Sequence, residues 1–219
     1  MASSKKRGAI FDWDGVIINS EEHHRVSWDR LAAETGYVLP EGHFERGFGM
    51  KNDVIIPELL GWTTEPLEIQ KLSLRKEAIW REVVRELGIK PLPGVEPWLA
   101  TLKEEGIACV IASSTHRENI TTTLGILGLG KFFAEIIAAE DVKRGKPDPE
   151  VFLTAARRVE AAPRNAVVFE DALVGIAAAR AAKIRVVAVA TTNKRDSLHE
   201  ADWVVDRLDE LSVAELWGR

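Results

Sequence analysis

One cysteine stands among 219 residues, so no disulfide can form within this chain. Cys109 lies in the apolar run Ile107-Ala108-Cys109-Val110-Ile111 and reads as a small core residue. Long apolar runs are missing as well. None approaches the roughly 20 residues that span a bilayer, so no membrane partner is expected. The opening Met1-Ala2-Ser3-Ser4-Lys5-Lys6-Arg7 lacks the apolar region of a signal peptide. It reads as a solvated tail, and the expected location is cytoplasmic. An excess of basic residues is also absent: Lys and Arg number 29 against 34 Asp and Glu, a net charge of -5, which argues against a nucleic-acid partner. Internal repeats and low-complexity segments are absent. What is present is a chain 46% hydrophobic and 29% charged, enough for one large or two modest cores.

Short apolar runs punctuate the sequence and read as buried strands of a parallel sheet. They are Ala9 to Phe11, Ile107 to Ala112, Ala134 to Ala138, Ala166 to Phe169 and Arg185 to Ala190, with Asp202 to Val205 as a short edge strand. Helical patterns alternate with them from residue 94 onward, which predicts an α/β fold. One helix starts at Asp148-Pro149-Glu150, with Asp148 as cap, and runs through Val151, Phe152, Ala155, Ala156 and Val159. Another covers Leu173 to Ala182. Residues 21–92 hold no strand run and read as helices. There Leu72, Ile79, Val83 and Leu87 share one helical face, and Gly88 follows as a C-cap. Pro91-Leu92-Pro93-Gly94 is a natural boundary. The expected division is a core of 1–20 and 93–219, split by a helical insert of 21–92.

Ligands of open α/β sheets bind beyond the carboxyl ends of the strands. Four segments end there in polar residues: Asp12-Trp13-Asp14, Ser113-Ser114-Thr115, a later loop with Gly145-Lys146-Pro147, and Glu170-Asp171. Paired carboxylates at the end of an apolar strand are costly unless a cation or a hydrogen-bond network compensates them. Carboxylate oxygens suit Mg²⁺, and a hard dication relieves the charge repulsion that protects a phosphate monoester from anionic attack. Asp12 and Asp171 are therefore expected to hold Mg²⁺, with Glu170 close by. Lys146 supplies a point charge, Ser113 and nearby backbone N–H groups bind phosphate oxygens, and Gly15 allows close backbone approach.

The order Asp12-x-Asp14-Gly15-Val16, Ser113-Ser114, Lys146-Pro147, Glu170-Asp171 resembles the four motifs of the haloacid dehalogenase superfamily. Asn19-Ser20-Glu21, His24, Trp28, Gly145-Lys146-Pro147-Asp148-Pro149 and Phe169-Glu170-Asp171-Ala172-Leu173-Val174-Gly175-Ile176 resemble its phosphatase and β-phosphoglucomutase branch. The resemblance implies a Rossmann-like core with an all-helical cap inserted after the first motif. It implies Asp12 as nucleophile forming an aspartyl-phosphate. Asp14 would be general acid and base, its backbone carbonyl also binding Mg²⁺. Ser113 and Lys146 would hold the phosphoryl group, and Asp171 with Glu170 would complete the metal site. The superfamily's dehalogenases lack an acid at the position of Asp14, so dehalogenation is disfavoured. His24 matches a family histidine near that acid.

The expected activity is hydrolysis of a small phosphorylated metabolite, a sugar or polyol phosphate. The expected assembly is a monomer or weak dimer. The alternative is a β-phosphoglucomutase-like phosphotransferase, and a third reading is a binding or regulatory module without turnover. Mutases of the branch place a lysine and an arginine around a cap glycine. Here Phe48 and Asn52 fall at those places, within Arg46-Gly47-Phe48-Gly49-Met50-Lys51-Asn52. Ser114, Lys51 and Asn52 join the expected substrate-binding residues, whereas Thr115 is read only as a helix start. His23 and His24 are adjacent and cannot share a helical face, so a shared metal is not expected. Trp28, Trp62, Trp80 and Trp98 read as packing residues, and Arg75, Lys76, Arg81 and Arg85 as a solvated helix face.

Overall fold

The computed structural model describes residues 6–47 and 49–218. Phe48 and the first five residues of the expected solvated tail lie outside the described residues. The strands are β1 (Gly8–Phe11), β2 (Ala108–Ala112), β3 (Phe133–Ile137), β4 (Ala166–Glu170), β5 (Arg185–Val189) and β6 (Trp203–Val205). They form one sheet in the order β3-β2-β1-β4-β5-β6, and every pair is parallel. The sheet is a Rossmann-like α/β core, with bounds within a residue or two of those read from the sequence.

Period-two side-chain alternation divides the core between the two faces of the sheet. Phe11, Ile111 and Phe169 point to one face, where α5 (Val95–Glu104) and α6 (Arg117–Leu127) bury Trp98, Leu99, Leu102 and Ile120 against them. Ile10, Val110 and Val168 point to the other, covered by α7 (Glu150–Arg158) and α8 (Leu173–Ala181) through Phe152, Ala155, Ile176 and Ala179. Asp148 Oδ1 accepts from the Glu150 N–H at 3.0 Å, so it caps α7 as its position suggests. One expectation fails at the sheet edge. β3 was expected to be buried, but Ala134 and Glu135 are exposed, because an edge strand has a neighbour on one side only.

Between β1 and β2 the chain forms helices: α1 (Glu21–Thr35), α2 (His43–Gly47), α3 (Asn52–Val54) continuing into a wide turn at Ile55–Leu59, and α4 (Pro66–Leu87). Trp28, Leu31, Ile56, Leu72, Ile79 and Val83 gather there in a hydrophobic cluster of their own, joined by Trp62. Trp80 and Trp98 belong instead to the sheet-side cluster. Leu87, expected on the buried face of α4, is 54% exposed: it sits in the last turn, past the end of that cluster. The segments entering and leaving this helical insert run side by side, with the Leu92 N–H donating to the Ile17 carbonyl at 2.9 Å and Ile18 bridging to Pro91.

Candidate active site

Strand register assembles the first cluster. Phe11 lies opposite Ile111 on one side and Phe169 on the other, so the next residues, Asp12 and Glu170, emerge together at the carboxyl edge of the sheet. This is the point where the strand order reverses direction, the usual ligand position in doubly wound sheets. Asp12, Glu170 and Asp171 are buried and each offers a carboxylate oxygen within 4.8 Å of the others. Lys146, on the loop before α7, enters from the side. Its ammonium lies 3.0 Å from Asp12 Oδ1, as an ion pair without hydrogen-bond alignment, and donates a hydrogen bond to Glu170 Oε1.

Glu170 is fully engaged. Its Oε2 accepts the N–H groups of Asp171 and Ala172 at 2.7 and 2.8 Å. A Cβ on Gly175 would lie 1.8 Å from Glu170 Oε1, so only glycine in α8 leaves room for this carboxylate. Asp171 is different: Thr192 Oγ1 donates to its Oδ2, while its buried Oδ1 has no hydrogen-bond partner among the described residues. Gly15, at φ +76°, leaves room for Asp171, since a Cβ there would lie 2.0 Å from Asp171 Oδ2.

Asp14 occupies a separate polar nest. Ser20 Oγ donates to its Oδ1, Thr115 Oγ1 to its Oδ2, and His24 Nε2 lies 3.3 Å from Oδ1. Ser113 is buried at the end of β2, its hydroxyl accepting the Thr115 N–H at 3.1 Å. Asp12, Asp14, His24, Asn52, Ser113 and Ser114 all border one cavity of about 50 Å³. Lys51 does not border it. Its ammonium donates to the Val142 carbonyl at 3.4 Å and lies 3.8 Å from Asp53 Oδ2.

Lys76 overturns its sequence reading. Its residue type puts it on a solvated face of α4, yet it is 2% exposed and borders the same cavity. Its Nζ donates to His24 Nδ1 at 2.7 Å and to Glu77 Oε1 at 3.0 Å. The cause is helical spacing: Lys76 follows Leu72 by four and precedes Ile79 by three, which puts it on the buried stripe. Glu77, also buried, accepts from Asn52 Nδ2 at 2.7 Å and from Asn119 Nδ2, tying α3 and α4 to α6.

The electrostatics separate the two aspartates. Burial, with help from Glu170 and Asp14 and against the pull of Lys146, raises the Asp12 carboxyl to about 7. Burial, then Glu170 and Asp12, likewise raise Asp171 well above the carboxylate range, against Thr192 and Lys146. For Asp14 burial works against the charge, but His24 and the hydrogen bonds from His24, Ser20 and Thr115 outweigh it and hold Asp14 at about 2. His24 is itself pushed down by burial and Lys76, against the pull of Asp14. When its ring is neutral, the Ser20 and Thr115 hydroxyls keep Asp14 ionised. Lys146 stays charged because Asp12 and Glu170 outweigh the cost of its burial.

Two elevated carboxyls and an unpartnered buried oxygen form a donor set that fits a hard divalent cation. Thr192, Asn193 and Ser20 were not assigned roles from sequence. Asn193 Nδ2 donates to the Asp171 carbonyl at 3.0 Å, and Thr191 Oγ1 donates to the Gly15 carbonyl. The run Thr191-Thr192-Asn193 follows β5 after one residue, Ala190, so the strand-end rule reaches it too.

A family profile described as haloacid dehalogenase-like hydrolase matches residues 9–189. A chloroplastic 5-amino-6-(5-phospho-D-ribitylamino)uracil phosphatase of Arabidopsis thaliana is 37% identical over 212 residues, 95% of this chain, and the chain spans 56% of that protein's length. A phosphorylated carbohydrates phosphatase of Thermotoga maritima is 33% identical over 178 residues, covering 80% of this chain and 81% of that one. Among solved structures, β-phosphoglucomutase from Clostridium difficile superposes with a TM-score of 0.84 at 27% identity, over 96% of this chain and 95% of that one. Motifs, sheet topology and profile agree: the chain belongs to the haloacid dehalogenase-like hydrolases and is an enzyme.

Proposed function

We propose that the protein is a Mg²⁺-dependent phosphatase hydrolysing a small phosphorylated metabolite, a sugar or polyol phosphate, through a phosphoryl group carried on Asp12. The observation that carries this reading is the meeting of Asp12, Glu170, Asp171 and Lys146 at one sheet edge, beside a separately held Asp14. The named relatives that act on phosphorylated small molecules support it.

Asp12, Asp171 and the Asp14 backbone carbonyl would hold Mg²⁺, with Glu170 orienting Lys146 and the Asp171–Ala172 backbone. Bound there, the ion offsets phosphate charge and favours the ionised carboxylates. A carboxylate oxygen of Asp12 attacks phosphorus, and the P–O bond to the substrate alcohol breaks. Asp14 gives its proton to the leaving alkoxide, then takes a proton from the water that attacks the aspartyl-phosphate. Inorganic phosphate leaves and Asp12 is regenerated.

The protein's own groups push the two carboxyls opposite to this need: Asp12 is raised and Asp14 is lowered. An incoming phosphoryl anion beside Asp14 raises its pKa and lets it carry the proton. Substrate charge beside Asp14 thus sets the protonation of the acid. The helical insert acts in this reading as a cap that excludes water from the aspartyl-phosphate.

Purified protein should release phosphate from small monoesters with Mg²⁺ and stop with EDTA. Wild-type turnover by Asp12→Asn would remove the nucleophile assignment. The phosphotransferase alternative is favoured by the similarity to β-phosphoglucomutase and opposed by Asn52, whose amide is spent on Ser73 and Glu77. Conversion of β-glucose 1-phosphate to glucose 6-phosphate faster than phosphate release would establish it.

A further inference from the structure

We propose that a second cavity beside the reaction site receives the non-reacting end of the substrate, and that this end is an uncharged planar ring with hydrogen-bond donors, not a second phosphate. The proposal rests on the phosphomonoester reading above.

Size comes first. The cavity at Asp12 and Asp14 measures about 50 Å³, whereas its neighbour measures about 520 Å³. The larger space falls within the ordinary range of small-molecule sites. Asn52 and Ser114 border both, so a ligand anchored at Asp12 extends into the larger one past these two side chains.

The walls select the chemistry. On one side α4 presents Ile69 and Leu74, and Leu74 is 55% exposed. A flat ring face laid there covers apolar surface that is otherwise left to water. The rest of the lining is rich in acceptors. Asn52 spends its amide hydrogens on Ser73 and Glu77, leaving its carbonyl oxygen to accept. Asp53 and Glu140 add carboxylates. The one lysine of the lining faces two carboxylates, of which Glu140 also accepts the Arg117 N–H at 3.2 Å. The Lys51 ammonium serves the Val142 carbonyl and Asp53, and its stem lies where a Cβ on Gly145 would come within 2.8 Å. The His116 Nδ1 lies 3.1 Å from Glu140 Oε1. Two carboxylates against one lysine leave this lining acidic, which repels a second phosphate and keeps acceptor lone pairs for ring N–H groups.

Matched esters test this. Riboflavin 5′-phosphate and ribitol 5-phosphate share a phosphorylated ribityl arm and differ by the ring, and ribulose 1,5-bisphosphate carries a second phosphate. The ring-bearing ester should exceed ribitol 5-phosphate in kcat/KM by about tenfold, and the bisphosphate should fall below both. Leu74→Ser, which removes the exposed apolar face, should bring the ring-bearing to ringless ratio toward one. Affinities to the Asp12→Asn protein, read by flavin fluorescence and by competition, should follow the same order. If no ester is hydrolysed but that order of affinity holds, the cavity assignment stands and the phosphatase reading falls. Equal rates and affinities with and without the ring, or preference for the bisphosphate, overturn the cavity assignment while leaving the phosphatase reading intact.

Discussion

Lys76 Nζ donates to His24 Nδ1 across 2.7 Å, joining residues 52 positions apart. An ammonium has donors only, so Nδ1 must accept and the ring's proton must sit on Nε2, facing Asp14 Oδ1 at 3.3 Å. The helical insert therefore fixes which tautomer meets the proposed acid and base. Glu77 steadies the same ammonium from the other side.

Lys76→Met should release that tautomer while keeping most of the side-chain volume. General acid–base groups contribute factors of about a hundred to ten thousand, so losing an orienting partner should lower kcat by about ten- to a hundredfold. KM should change less, because Ser113 and Lys146, the proposed phosphate-holding residues, are left in place. Steady-state kinetics on p-nitrophenyl phosphate would decide, and an unchanged kcat would remove the orienting role.

Asp12 predicts a pH-dependent stability. Its carboxyl titrates at about 7 in the fold against 3.8 ordinarily. Between those values the folded chain holds a proton that the unfolded chain has lost, so stability is greatest below about pH 4 for this group and falls as pH rises toward 7. The proposed Mg²⁺ would bind the ionised carboxylates, so its stabilisation should grow over the same window. At about a hundred times its Kd the ion contributes about 2.7 kcal/mol. For a chain of this size that raises Tm by about 5–10 °C. Thermal melts at pH 8 should show this shift, and melts at pH 5 a much smaller one. Equal shifts at both values would argue that Asp12 is not in the ion's shell.

Asp12→Asn should abolish turnover and also flatten that stability profile. The amide cannot titrate, so the loss of stability between about pH 4 and 7 should shrink to the part due to Asp171. Melts of the variant without metal measure this directly. A profile as steep as wild type would place the titration elsewhere.

The sheet was legible because its strands are buried on both faces and read as apolar runs, and the site because four polar segments follow those runs or enter beside them. β3 was misjudged, since an edge strand of a parallel sheet carries the same β-forming residues as a buried one. Lys76 was missed because a charged residue on an amphipathic helix is assigned to water by its type. The stripe Leu72, Lys76, Ile79, Val83 held the opposite answer in its spacing. The positions of Thr115 and Ser20 in the sequence do not reveal the carboxylate they serve, a pairing that depends on how β2 and the start of α1 converge on Asp14. Contacts between the insert and the sheet, such as Glu77 to Asn119, depend on tertiary placement that no local pattern encodes.

Gly175→Ala should run against the usual rule for helices. Replacing a helix-interior glycine by alanine ordinarily stabilises by about 1 kcal/mol. Here the added Cβ would come 1.8 Å from Glu170 Oε1, in a carboxylate fixed by Lys146 and by the Asp171 and Ala172 N–H groups. Either the carboxylate leaves, stranding the Lys146 charge beside Asp12, or α8 shifts and carries Asp171 with it. The variant should lose about 1–3 kcal/mol of stability and most of its phosphatase activity. Adding Glu170→Asp, which withdraws the carboxylate by one methylene, should recover part of the Tm. A Gly175→Ala protein that is both stabilised and fully active would mean that Glu170 does not hold the site in the position described.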